Sequence, residues 1–133
     1  MSKIIYEPAP DVCCIVDAIL AQGLFPHIRR ERVKCLVSWN AKTRAIARIH
    51  GLSSAWIAAG LEPGYVIEVV GERFYRQSRE DKVKTIIHEL LHIPYTFSGA
   101  LRPHGRLVNG RRVNTIYRRL DKRALDKCLR DEI

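Results

Sequence analysis

Between Ser78 and Pro94 the chain carries a segment whose only consistent reading is a helix with two unlike faces. Ser78-Arg79-Glu80-Asp81 is a capping box, the pattern in which the first and fourth residues exchange hydrogen bonds with each other's backbone at a helix start. Pro94 has no N–H and disfavours helical geometry in the residue before it, so the helix ends near Ile93. At about 100° per residue, Val83, Ile86, Ile87, Leu90 and Leu91 share one face, while His88 and His92 fall about 40° apart on the opposite one. The apolar stripe needs a core to cover it. The two histidines face away from that core.

His88-Glu89-Leu90-Leu91-His92 is HExxH. In a chain of this composition the bare pattern arises by chance on the order of 0.01 times, before the capped helix and the correct face are asked for. Residues four apart on a helix sit one above the other, so both imidazoles reach one metal ion and Glu89 stands beside them to take a proton from a water. Lowering the pKa of water toward neutrality needs neutral ligands and an open coordination position, which is what imidazoles on zinc supply. A third ligand must come from elsewhere. His104, in Leu101-Arg102-Pro103-His104-Gly105, is close enough in sequence to fold back over the helix; His50, His27 and a carboxylate such as Asp121 are the other candidates.

The remaining elements follow from local pattern. Val12, Ile15, Val16, Ile19 and Leu20 have helical spacing from Pro10 onward, with Gly23 as a stop. Val33–Trp39 and Arg44–His50 are short β-rich runs about the polar turn Asn40–Thr43 and read as an antiparallel hairpin. Ser53 and Ser54 cap a short helix through Ala59, and Tyr65–Val70 reads as a strand after the turn Glu62-Pro63-Gly64. Tyr95 to Val113 is a loop too long for a plain connector, which makes it a functional candidate. A last amphipathic helix from Asn114 carries Ile116, Leu120, Leu125 and Leu129 toward the core. The expected order is α, β, β, α, β, α, loop, α. That is an α+β fold with a short, mostly antiparallel sheet packed against helices, and 133 residues make a single domain spanning 1–133.

Certain of these stretches resemble a known family. Tyr6-Glu7-Pro8-Ala9-Pro10-Asp11, the strand Val66-Ile67-Glu68-Val69, and His88-Glu89-Leu90-Leu91-His92-Ile93-Pro94 continuing through Phe97-Ser98-Gly99-Ala100 to Gly105 resemble the putative metallopeptidases of phages and archaea, small zincin-like proteins. The resemblance spans about residues 6 to 105 and is strongest from 88 to 105. It implies a minimal zincin-like domain, one zinc ion on His88, His92 and His104, Glu89 as general base, and a peptide or protein substrate whose identity it does not give. The spacing departs from HExxHxxGxxH, so no methionine turn is expected. On this reading the strand Tyr65–Val70 borders the cleft and pairs with an extended peptide, and Arg102, Arg106, Tyr95 or Tyr117 stabilises the oxyanion.

The net charge of +9 is unevenly placed. Residues 28–50 and 101–133 each carry net +6, and the remainder of the chain is net −3. Arg29-Arg30-Glu31-Arg32 and Arg111-Arg112 are the densest points. Such a surface favours nucleic acid or an acidic protein, which supports two alternatives to a free-standing peptidase: a basic nucleic-acid-binding module with a structural metal, or a protease acting on nucleic-acid-bound proteins. A metal-dependent hydrolase of something other than peptides would use the same ligands. HExxH favours the peptidase, since a carboxylate beside the first ligand is surplus in a structural site. At 47% hydrophobic and 28% charged residues the composition is that of a globular chain and excludes disorder over its bulk. No apolar run approaches the ~18–20 residues of a membrane span. The first residues lack the long apolar core of a secretory signal, and no CxxC pair is present among the four cysteines. Cys13, Cys14, Cys35 and Cys128 are therefore expected to be reduced thiols in a cytoplasmic protein.

Overall fold

The computed structural model describes residues 3–129. Its centre is a four-stranded mixed sheet in the order β1-β2-β4-β3, formed by β1 (Ile5–Pro8), β2 (Val33–Trp39), β3 (Ala47–Gly51) and β4 (Tyr65–Val70). β2 lies parallel to β4, with Cys35 opposite Ile67, and β3 lies antiparallel to β4, with Ile49 opposite Ile67. β1 pairs antiparallel with β2 at the other edge.

The expected hairpin is corrected here. β2 and β3 do run in opposite directions, but β4 is inserted between them. Stepping over one strand spans roughly 10 Å, a distance that the seven residues from Asn40 to Ile46 cover easily. β4 is the most apolar strand and its last four residues are all buried, so it takes the central position, where both edges are paired and both faces are covered. β1 was not foreseen: all four of its residues are exposed, so no inward-facing pattern marks it.

Alternation along the strands sends Val33, Cys35 and Val37 of β2, Ile49 of β3, and Tyr65, Ile67 and Val69 of β4 into one core. Two helices cover that face. α1 (Pro10–Leu20) contributes Val12, Ile15, Val16 and Ile19, and α4 (Arg79–Leu91) contributes Val83, Ile86, Ile87 and Leu90. Each fully buried aliphatic side chain of this kind contributes about 1.5–3 kcal/mol. Short helices α2 (Ser54–Ala58) and α3 (Gly71–Phe74) flank β4, and Phe74 of α3 is buried.

The last helix, α5 (Gly110–Arg119), starts four residues earlier than expected. Asn109 is its cap, its side-chain oxygen accepting the Arg112 N–H at 2.9 Å. Asn-Gly reads as a turn in sequence, yet here it opens a helix. Ile116 and Leu120 are buried as expected, whereas Leu125 reaches the core from a separate 3-10 segment (Lys122–Cys128) and Leu129 from just past its end.

The cysteine expectation is also corrected. Cys14 of α1 and Cys128 form a disulfide, with Cα atoms 5.5 Å apart and a sequence separation of 114, that ties the 3-10 segment to the first helix. Only Cys13 and Cys35 are free thiols, and burial pushes the Cys35 thiol up. The thiol argument for a cytoplasmic location therefore loses its premise. Among the described residues no helix is long and apolar enough to cross a membrane.

Candidate metal centre

The face of α4 turned from the core meets the loop that follows Pro94. Ser78 caps the helix through its Oγ, which accepts the Asp81 N–H at 3.1 Å, and His92 terminates it. The loop returns because its backbone is fastened at both ends of the turn. The Arg102 N–H donates to the His92 carbonyl at 2.7 Å, and the His92 Nδ1–H donates to the Arg102 carbonyl at 2.6 Å. Nδ1 of His92 is thereby fixed as a donor, which leaves the Nε2 lone pair free for a ligand.

Two further contacts seat the loop against the sheet. The Tyr65 hydroxyl at the start of β4 donates to the Ala100 carbonyl and accepts the Gly99 N–H, both at 2.8 Å. The Tyr65 ring meets Phe97 edge-on at 5.0 Å. β3 approaches so closely that a Cβ on Gly51 would stand 1.9 Å from the Gly99 carbonyl oxygen. Gly99 itself has φ +91°, and a Cβ there would stand 2.6 Å from Ile57 Cδ1. Tyr65, Gly51 and Gly99 went unremarked as site-building residues. The one signal they leave is a pair of glycines bracketing a strand tyrosine, which acquires meaning only once the loop is placed.

This folding back brings His104 over His88 and His92. The three rings lie 4.8–5.1 Å apart between centroids, and one nitrogen from each falls within 4.8 Å of the others. His88 Nε2 and His104 Nε2 are 3.0 Å apart. Two ring nitrogens that close need a shared proton or a cation between them, and ligand atoms on a tetrahedral ion sit about 3.3 Å apart. Burial, reinforced by His92 and His104, lowers the pKa of His88 and keeps it in the neutral form a metal requires. The three histidines therefore fit a metal ion. Their all-nitrogen donor set suits zinc, copper, iron or nickel.

Glu89 is 6% exposed and lines the same cleft. Burial alone pushes its carboxyl up to about 7. A cation held beside it acts in the opposite sense and favours the carboxylate. The cleft has a volume of about 960 Å³. α4 forms its floor, the run Arg44–Ile49 one wall, and Leu101–His104 with the start of α5 the rest.

The other candidates lie elsewhere. His27 donates to the Ile93 carbonyl at 3.1 Å and packs edge-on to Tyr95. His50 and Arg48 bond to buried Glu68, and Asp121 caps the 3-10 segment through the Arg123 N–H. Of the four oxyanion candidates only Arg102 lines the cleft; Tyr95 lies under its guanidinium, and Tyr117 lies under Lys84 and Lys122. β4 has both edges paired, so it cannot receive a peptide. The free edge along the cleft belongs to β3.

Against known proteins, the sequence model of one family, described as putative phage metallopeptidase, matches residues 4–124. The chain belongs to this family. The match extends past α4 on both sides, taking in β1 and all of α5 and stopping within the 3-10 segment. Searches of curated proteins and of solved structures return no significant match. A nucleic-acid partner gains nothing from family membership, and the densest basic run is engaged within the chain. Arg29 pairs with Glu31 and Glu62, Arg30 with Asp17 and the Val33 carbonyl, and Arg32 with the Glu62 and Pro63 carbonyls.

Proposed function

We propose that this phage metallopeptidase family member is a zinc-dependent peptidase of the zincin type, with His88, His92 and His104 holding the ion and Glu89 as general base. The observation that carries the reading is a buried carboxylate adjoining three convergent imidazoles in a cleft bordered by an unpaired strand edge. A zinc ion held there would polarise a carbonyl oxygen and acidify a water.

The chain's own residues supply the rest. The open edge of β3 offers its N–H and C=O groups to an extended peptide, which aligns the substrate along the cleft. Glu89 accepts a proton from the attacking water as the new C–O bond forms. It then delivers that proton to the amine nitrogen as the C–N bond breaks. The low polarity around Glu89 suits a group that must both take up and release a proton near neutral pH. The reciprocal bonds between His92 and Arg102 hold one imidazole and the loop in register throughout.

The test is hydrolysis of a quenched fluorescent peptide library by zinc-loaded wild type and Glu89→Gln, with bound zinc measured in both. We expect the variant to keep its zinc and lose activity by about 10²–10⁴-fold. Equal activity in the variant would remove Glu89 from the mechanism.

A further inference from the structure

The cleft carries more positive than negative side chains. Arg44, Arg48, Lys84 and Arg102 line it, against Asp81 and Glu89. Three of the four cations are committed elsewhere. Arg48 bonds to Glu68 at 2.8 Å, Lys84 bonds to Glu80 at 2.7 Å, and the Arg102 guanidinium lies over the Tyr95 ring at 4.2 Å. Arg44 differs from these: among the described residues its guanidinium has no hydrogen-bond or ion-pair partner.

Its backbone is nevertheless fixed. Thr43 Oγ1 accepts the Ala45 N–H at 3.1 Å, and the Ile46 carbonyl accepts the Val70 N–H at 2.8 Å. The second bond places Arg44 beside the C-terminal end of β4, from which the chain passes through α3 to the start of α4. Gln77 and Asp81 line the cleft at that end, and the histidines lie further along the helix. Asp81 and His88 are seven residues apart, about 10 Å along a helix, or about three residues of an extended peptide. Lys84, bonded to Glu80, lies one turn along from Asp81.

The Arg44 guanidinium is exposed on the cleft that holds the three imidazoles and has no partner among the described residues, so it is open to a partner from outside the chain. We propose that the cleft selects peptides bearing a carboxylate about three residues from the bond to be cut, and that Arg44 is the residue that reads it. The inference rests on the peptidase reading and names its substrate class. Guanidinium and carboxylate match as a two-pronged pair, which gives orientation as well as attraction. The carboxylate has two sources, an acidic side chain or a free C-terminus.

Binding is measured by fluorescence anisotropy to the zinc-loaded Glu89→Gln protein, and cleavage by wild type is measured in parallel. The probes are amidated peptides in which one Glu or one Gln moves along a neutral sequence, and the neutral peptide with a free C-terminus. At one position Glu should bind about fivefold more tightly than Gln, or the free C-terminus should give that gain. Arg44→Ala should erase the preference, and Arg44→Glu should reverse it, so that the uncharged probe binds more tightly than the one bearing the carboxylate. Equal affinities, a preference unchanged in both Arg44 variants, or no binding of any peptide would overturn the proposal. Selective binding without cleavage would leave Arg44 its role and sink the peptidase. Cleavage indifferent to charge would do the reverse.

Discussion

Replacing Tyr65 by Phe deletes one oxygen and with it both hydrogen bonds that fasten the histidine-bearing loop to β4. The ring is retained, so the 5.0 Å edge contact with Phe97 survives and the change isolates the hydroxyl. Gly99 is buried, and its N–H would be left without a partner, at a cost of about 1–3 kcal/mol. Ala100 is exposed, so its carbonyl can turn to water and loses only about 0.5–1 kcal/mol. Together these predict a stability loss of about 1.5–4 kcal/mol. His104 lies four residues beyond Ala100, so the same loosening should weaken metal binding by about 10–100-fold, as removing an outer support of a ligand does. Urea unfolding of the metal-free protein gives the first quantity, and competition for zinc with a chromophoric chelator gives the second. A stability loss below about 0.5 kcal/mol together with unchanged zinc affinity would refute the claim that Tyr65 seats the loop.

Two other outcomes concern Glu68 and the disulfide. Burial raises the pKa of Glu68, but hydrogen bonds from Arg48, Ser38 and His50 outweigh it and hold the carboxyl below its ordinary value. Its contribution is therefore complete above the unfolded value, about 4.3, and is lost as pH falls through the lower folded one. Glu68→Gln should cost about 2 kcal/mol at pH 7, and the gap to wild type should shrink in acid; a pH series of urea melts in which the gap is constant would contradict this. Removing the Cys14–Cys128 bridge by Cys128→Ser should destabilise the fold by about 2–4 kcal/mol, a difference that a thiol reductant abolishes by lowering wild type to the level of the variant.

What the sequence made legible was short-range. The capped helix, its apolar stripe and the HExxH face depend on neighbours within a few turns, and α4 shows all of them. His104 could be named because it lies close behind the helix, but the reason it returns was hidden. That reason is Tyr65 on β4 and Gly51 on β3, which lie 34 and 48 residues before Gly99 in the loop. The hairpin failed for the same reason. Local pattern gives strand direction and length, while adjacency is decided by which strand is apolar enough for the centre, here β4. Placing β4 at the centre also moved the open edge to β3, and with it the wall proposed to receive a peptide. The Cys14–Cys128 pair, joined across nearly the whole chain, leaves no local trace.

The proposed function stands on three imidazoles sharing one ion, and elemental mass spectrometry of purified wild type beside His104→Ala tests that most directly. About one zinc per chain in wild type, falling at least tenfold in the variant, is the predicted result. Wild type that takes up no metal after reconstitution with zinc, or a variant that holds as much as wild type, would contradict it.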